Sequence, residues 1–112
     1  MVQYHPSHLD ATFAALADPT RRGILESLGR RDASITDLAA KFDITLTGIK
    51  KHVQVLERSG LVTTKKVGRV RNCSLGRRRL EEEVAWIARY RQMLEARLDR
   101  LGEFLERTKG TR

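Results

Sequence analysis

The chain has one cysteine, Cys73, in 112 residues. A single thiol excludes an intramolecular disulfide and fits a reducing, cytoplasmic setting. The sequence does not start with an apolar run, so no secretory leader is expected. No stretch approaches the roughly 18 apolar residues of a membrane span. No internal repeat or low-complexity tract is present. Catalytic constellations are missing as well. No nucleophile–base pair, carboxylate dyad or glycine-rich phosphate loop can be assembled from these residues, so the chain is not expected to be an enzyme. Besides Cys73 the soft-ligand side chains are His5, His8 and His52, at scattered positions. Zinc and soft-metal sites need several such groups converging, so no metal or other cofactor is expected.

Positive charge is abundant, and it is concentrated. The formal net charge is +8. Residues 50–79 hold ten Lys or Arg against one acid, Glu57, whereas the remaining eighty-two hold twelve bases and thirteen acids. One contiguous region therefore carries the whole excess, the footprint of a polyanion-binding surface. A solvated basic face without a partner is the plainer alternative.

A chain of this length makes one domain with a modest core. Leu9, Phe13 and Leu16 recur at helical spacing, predicting a first helix that ends before Asp18. Asp18-Pro19 reads as an N-cap followed by proline at the first helical position. The second helix turns Ile24, Leu25 and Leu28 inward and is expected to stop at Gly29. Ser34-Ile35-Thr36-Asp37 resembles a capping box opening a short third helix, 35–41, that buries Ile35, Leu38 and Ala39. After a turn at Asp43-Ile44, Thr45 caps a fourth helix running to about Arg58 and closing at Gly60. Two short helices joined by a short turn make a helix-turn-helix.

Past Gly60 the hydrophobic period changes. Segments 61–67 and 69–75 are rich in Val and Thr, and Gly68 between them supplies the positive φ of a tight hairpin. A long helix is predicted from about Arg78 to Arg107. Along it Leu80, Val84, Ile87, Leu94, Leu98, Leu101 and Leu105 alternate at four and three, with Arg91 breaking the series. A small domain has too little core to cover such a seam, and a second copy of the chain is the simplest cover. The alternative is a helix folded back on its own domain. Arg77-Arg78-Arg79 would then oppose the dipole of this helix, either gripping phosphates or pairing with Glu81, Glu82 and Glu83.

Placed on a wheel, the fourth helix sets Leu46, Ile49, Val53 and Leu56 on the core side. Thr47, Lys51, Gln54 and Arg58 fall opposite, flanked by Lys50 and His52. These outward groups suit base edges and phosphates of double-stranded DNA. Thr47 and Lys51 are expected to read bases, while Lys50, His52 and Gln54 meet phosphates or edges. The hairpin adds Lys65, Lys66, Arg69 and Arg71 near its tip, within reach of an adjacent minor groove. Gly48 is unusual, because glycine costs a helix interior about 1 kcal/mol relative to alanine. Its missing side chain is expected to let the helix approach the groove closely.

At these residues the chain resembles a known family. "ALADPTRRGILESL" at 15–28, "HVQVLERSGLV" at 52–62 and "GR" at 68–69 resemble the ArsR/SmtB family of bacterial winged helix-turn-helix repressors. "WIARYRQMLEARLDRLGEFLE" at 86–106 is similar to a subgroup of that family without metal sites. The resemblance implies a mainly α fold of five helices with a small β-hairpin wing. It divides the single domain, 1–112, into a DNA-binding part, 8–76, and a C-terminal dimerisation helix, 77–107. It further implies a homodimer joined through the first and last helices, and hence through Leu9, Phe13, Leu16, Val84, Ile87, Leu94, Leu98, Leu101 and Leu105. The function implied is repression of transcription from a palindromic operator. By the match, Thr47, Gly48, Lys51 and His52 lie in the DNA-reading part of the recognition helix, with Gly68 and Arg69 at the wing tip. Thr45, Lys50 and Gln54 of the same helix are expected DNA contacts from the residue reading alone. Metal-sensing members carry a cysteine pair in the third helix. The corresponding "TDLAAKFD" has no thiol or imidazole, and residues 78–107 contain no histidine. A nonspecific architectural DNA- or RNA-binding protein would use the same basic surface, and an unidentified effector is compatible with either reading.

Overall fold

The computed structural model describes residues 8–110, so His5 lies outside the described residues. Five helices and three strands follow in the order α1 (His8–Leu16), α2 (Pro19–Arg30), β1 (Ala33–Ser34), α3 (Ile35–Phe42), α4 (Leu46–Arg58), β2 (Val62–Val67), β3 (Val70–Leu75) and α5 (Glu81–Gly110). They form two compact units, one up to Arg79 and one from Leu80 onward. No helix among the described residues is long and apolar enough to cross a membrane.

In the first unit α2, α3 and α4 are each started by a side chain. Asp18 accepts a hydrogen bond from the Arg21 N–H at 3.0 Å, and Pro19 follows as the first residue of α2. Ser34 and Asp37 form the capping box of α3. Thr45 accepts from the Gly48 N–H at 3.1 Å at the start of α4. The α3–α4 turn passes through Asp43, whose φ of 52° is the left-handed conformation that aspartate tolerates better than most residues. The core is built from Ala15, Ile24, Leu28, Ile35, Leu38, Ala39, Ile49, Val53, Leu56, Leu61, Val62 and Cys73.

β3 is the middle strand of an antiparallel sheet ordered β1-β3-β2. β1, only two residues long, has no period that could announce it. It pairs Ala33 with Cys73 and Ser34 with Asn72, which ties the start of α3 to the wing.

Several expectations require correction. α2 continues through Gly29 to Arg30, and its buried positions are Ile24, Ser27 and Leu28, with Leu25 only half-buried. α1 ends at Leu16, before Asp18 as expected; its fully covered residues are Thr12 and Ala15, with Leu9, Phe13 and Leu16 half-exposed beside them. Leu46, expected in the core, is 48% exposed. It is the first residue of α4, a full turn ahead of the Ile49–Val53–Leu56 face that the rest of the unit covers.

The last helix begins at Glu81, not at Arg78. Its first turn therefore contains Glu81, Glu82 and Glu83, acids where the helix dipole favours them, and the three arginines lie before it. Leu80 is excluded from the helix by a left-handed φ of 57°.

Arg78 is not a surface cation. Its Nη1 donates to Thr12 Oγ1 at 2.8 Å and to the Ser59 carbonyl at 2.6 Å. Two further arginines serve α1. Arg21 donates to the carbonyls of Ala15 and Ala14, and Arg22 to that of Leu16. The last carbonyls of a helix have no intrahelical donor, so guanidinium groups from α2 satisfy both the hydrogen bonds and the negative end of the dipole.

α5 is thirty residues long. All the seam residues from Val84 to Leu105 are exposed, as are Trp86, Tyr90, Met93 and Phe104 beside them. Trp86 and Tyr90, one turn apart, stack with ring centroids 5.8 Å apart.

Candidate nucleic-acid interface

α4 presents its polar side outward because Ile49, Val53 and Leu56 hold its other side in the core. Thr47, Lys50, Lys51, Gln54 and Arg58 are all exposed. Thr47, Lys50, Lys51 and Gln54 line one cleft of about 220 Å³ together with Glu57 and Arg71. The helix is linked to the wing by the single acid of the basic region: Thr64 on β2 donates its hydroxyl proton to the Glu57 carboxylate at 2.5 Å.

The wing is the β2–β3 hairpin. Its register pairs Lys65 with Asn72, Lys66 with Arg71 and Val67 with Val70, leaving Gly68 and Arg69 as the turn. Gly68 has φ +63°, and glycine is the residue that takes this conformation at the first position of a two-residue hairpin turn without steric cost. Lys65, Lys66, Arg69 and Arg71 are all exposed. Lys66 and Arg71 place like charges directly opposite each other, an arrangement that destabilises a strand pair. A second cleft, of about 620 Å³, joins the wing to the helices, and Lys50 and Arg71 line both clefts.

Two expected site residues have other local roles. His52 is half-buried, with its Nδ1 3.3 Å from Arg21 Nη1 and 3.9 Å from the Asp18 carboxylate. These two neighbours orient the His52 ring towards the start of α2. Gly48 is explained from inside the protein. A Cβ there would lie 2.8 Å from Ile44 Cγ2 and 3.2 Å from Thr45 Oγ1. The helix–turn corner and its cap occupy the space that a side chain would need, so the close approach expected of DNA is not required to account for this glycine.

Two titratable groups, Asp18 and Cys73, depart from their ordinary pKa values. The Asp18 carboxyl lies below its ordinary range, chiefly through the hydrogen bond from the Arg21 N–H, with further help from His52 and Arg21. Cys73 is fully buried on β3, and burial, reinforced by the charge of Glu57, raises its thiol pKa. A packed, protonated thiol is a poor redox nucleophile. Among the described residues no three His, Cys, Asp or Glu side chains gather as a metal site.

A helix-turn-helix with a basic hairpin beside its second helix is a winged helix-turn-helix, a DNA-binding module. Residues 16–65 match the family model described as a helix-turn-helix domain. The chain is 44% identical over 69 residues to YuzN of Bacillus subtilis, an HTH-type transcriptional regulator, covering 55% of this chain and 75% of YuzN. It is 28% identical to the transcriptional repressor SdpR of the same organism, covering 73% and 91%. The crystal structure of an ArsR family transcriptional regulator superposes with a TM-score of 0.73 at 42% identity, covering 85% of this chain and 97% of that one. The chain belongs to the ArsR family of transcriptional regulators.

Proposed function

We propose that the chain represses transcription as a homodimer bound to a palindromic operator in double-stranded DNA. Support comes above all from the two clefts that join the exposed face of α4 to the wing, since they collect cations from both elements on one side of the fold. In this reading α4 lies in a major groove. Thr47 and Lys51 read base edges, Lys50 and Gln54 meet phosphates or edges, and Thr45, Gly48 and His52 hold the start of the helix in place. The wing, with Lys65, Lys66, Gly68, Arg69 and Arg71, grips the neighbouring backbone and minor groove. The domain division is then functional, residues 8–76 binding DNA and 77–107 dimerising.

Pairing uses the apolar side of α5. Val84 is 60% exposed and Leu105 57%, and Ile87, Leu94, Leu98 and Leu101 between them are comparable. A run of apolar side chains of this length is stable in water only when covered. Leu9, Phe13 and Leu16 of α1, half-exposed, contribute the rest of the contact. Two symmetric copies bring two reading helices to half-sites about one DNA turn, roughly 34 Å, or a multiple of it apart.

Footprinting across the host genome tests the whole reading, because it yields operator, symmetry and neighbouring genes together. With that operator in hand, Lys51→Ala is expected to lower the preference for it over random DNA, and Arg69→Ala to weaken binding to both evenly. Equal protection of any duplex, with no palindrome, would instead make this a nonspecific architectural protein.

A further inference from the structure

We infer that the cleft between α4 and the wing is the seat of one backbone phosphate of DNA, held by Lys50 and Arg71 with the Thr36 hydroxyl as an additional ligand. The inference rests on the reading of this face as a DNA-binding surface, and it assigns a contact to α3, an element that reading leaves without one. Lys50, Lys66, Arg69 and Arg71 converge on the cleft, and no carboxylate lines it. None of the four takes part in an ion pair among the described residues. Like charges gathered without a counter-charge oppose folding, and Lys66 opposite Arg71 adds a repulsive cross-strand pair. An anion supplied from outside relieves both costs.

The position of the cleft identifies that anion. Lys50 and Arg71 also line the neighbouring cleft beside Thr47, Lys51 and Gln54, so they stand between the reading face and the wing. In a duplex the major and minor grooves are separated by one sugar–phosphate strand. A protein with a helix in one groove and a hairpin in the next must straddle that strand, and the gap between the two elements is where it passes. The remaining wall of the cleft is the start of α3, Ser34 to Thr36. The Ser34 hydroxyl is occupied by the Asp37 N–H, whereas Thr36 is exposed and its hydroxyl makes no hydrogen bond among the described residues. Phosphate contacts of this kind fix register and orientation and carry no sequence information.

Thr36→Glu separates a binding role from a structural one. An acid in the first turn of α3 suits the helix dipole, so the melting temperature should hold or rise. The same charge in the phosphate seat should weaken binding to a mixed-sequence duplex by about tenfold or more at low salt. Lys50→Gln and Arg71→Gln should each reduce the slope of log K against log salt by about 0.9, with equal losses on operator and random DNA. Fluorescence anisotropy titrations in a salt series, with far-UV melts as the control for folding, measure all of this. Wild-type affinity and slope in Thr36→Glu, or in both glutamine variants, would overturn the phosphate seat while leaving the DNA-binding reading intact. A wild-type chain that binds no duplex at all would overturn both.

Discussion

Replacing Arg78 with methionine keeps the aliphatic stem and removes the guanidinium that donates to Thr12 Oγ1 and to the Ser59 carbonyl. Thr12 is 0% exposed and Ser59 3%, so water cannot readily take over either acceptor. A hydrogen bond from a charged donor contributes about 1.5–3 kcal/mol, and an orphaned buried acceptor costs about 1–3 kcal/mol. The two losses overlap, and a net destabilisation of roughly 2–4 kcal/mol follows. That is a large share of the ~5–15 kcal/mol available to a small domain, and it corresponds to a drop in Tm on the order of 10 °C. Neighbouring Arg77 and Arg79 are exposed, and their methionine variants should stay within about 0.5 kcal/mol of wild type. Thr12→Val in the Arg78→Met background should recover part of the loss, because removing both partners leaves no orphaned hydroxyl. Urea unfolding followed at 222 nm, at one fixed protein concentration, decides the matter. An Arg78→Met variant as stable as Arg77→Met would refute the assignment of Arg78 as an internal tie.

Two other perturbations follow from the geometry. Gly48→Ala should lower stability by about 1 kcal/mol net, since overpacking against Ile44 and Thr45 costs about 1–3 kcal/mol and helix propensity returns about 1. In an Ile44→Leu background, which removes the obstructing branch methyl, thermal melts should show Gly48→Ala to be neutral or stabilising. The Asp18 pKa is lower in the folded chain than in the unfolded one. Its contribution is therefore complete above the ordinary carboxylate pKa of about 3.9 and is lost as pH falls through the depressed folded value. Asn also caps helices but does not titrate, so Asp18→Asn should flatten the acid limb of a stability–pH curve. An unchanged limb would show that other carboxylates govern it.

The sequence disclosed most where a local rule acts alone. The spacing of Ile49, Val53 and Leu56, the capping box at Ser34 and Asp37, and the turn glycine at 68 each follow from neighbouring residues, and each is present in the fold. What escaped the sequence depends on distant partners. Arg78 looked like one cation in a run of three because Thr12 and Ser59, its acceptors, lie 66 and 19 residues away. The start of α5 moved to Glu81 with it. Arg21 and Arg22 belong to a stretch quoted for its family resemblance, yet their task, capping α1, requires knowing where α1 ends in space. Leu46 satisfied the helical period, but in the first turn of α4 it stays 48% exposed among the described residues. For the candidate site, the residue types on α4 and the wing were legible. The inward turn of His52 and the cleft reaching Thr36 were not, since both arise from packing between elements.

Cys73 offers a practical consequence. It is the only thiol in the chain, fully buried, on the middle strand of the sheet between Ala33 and Thr64. An alkylating reagent reaches it only when that strand opens. The labelling rate therefore counts the opening events of the wing sheet in the native protein, with no introduced probe. Measured with and without DNA, the same clock reports whether binding holds the sheet closed.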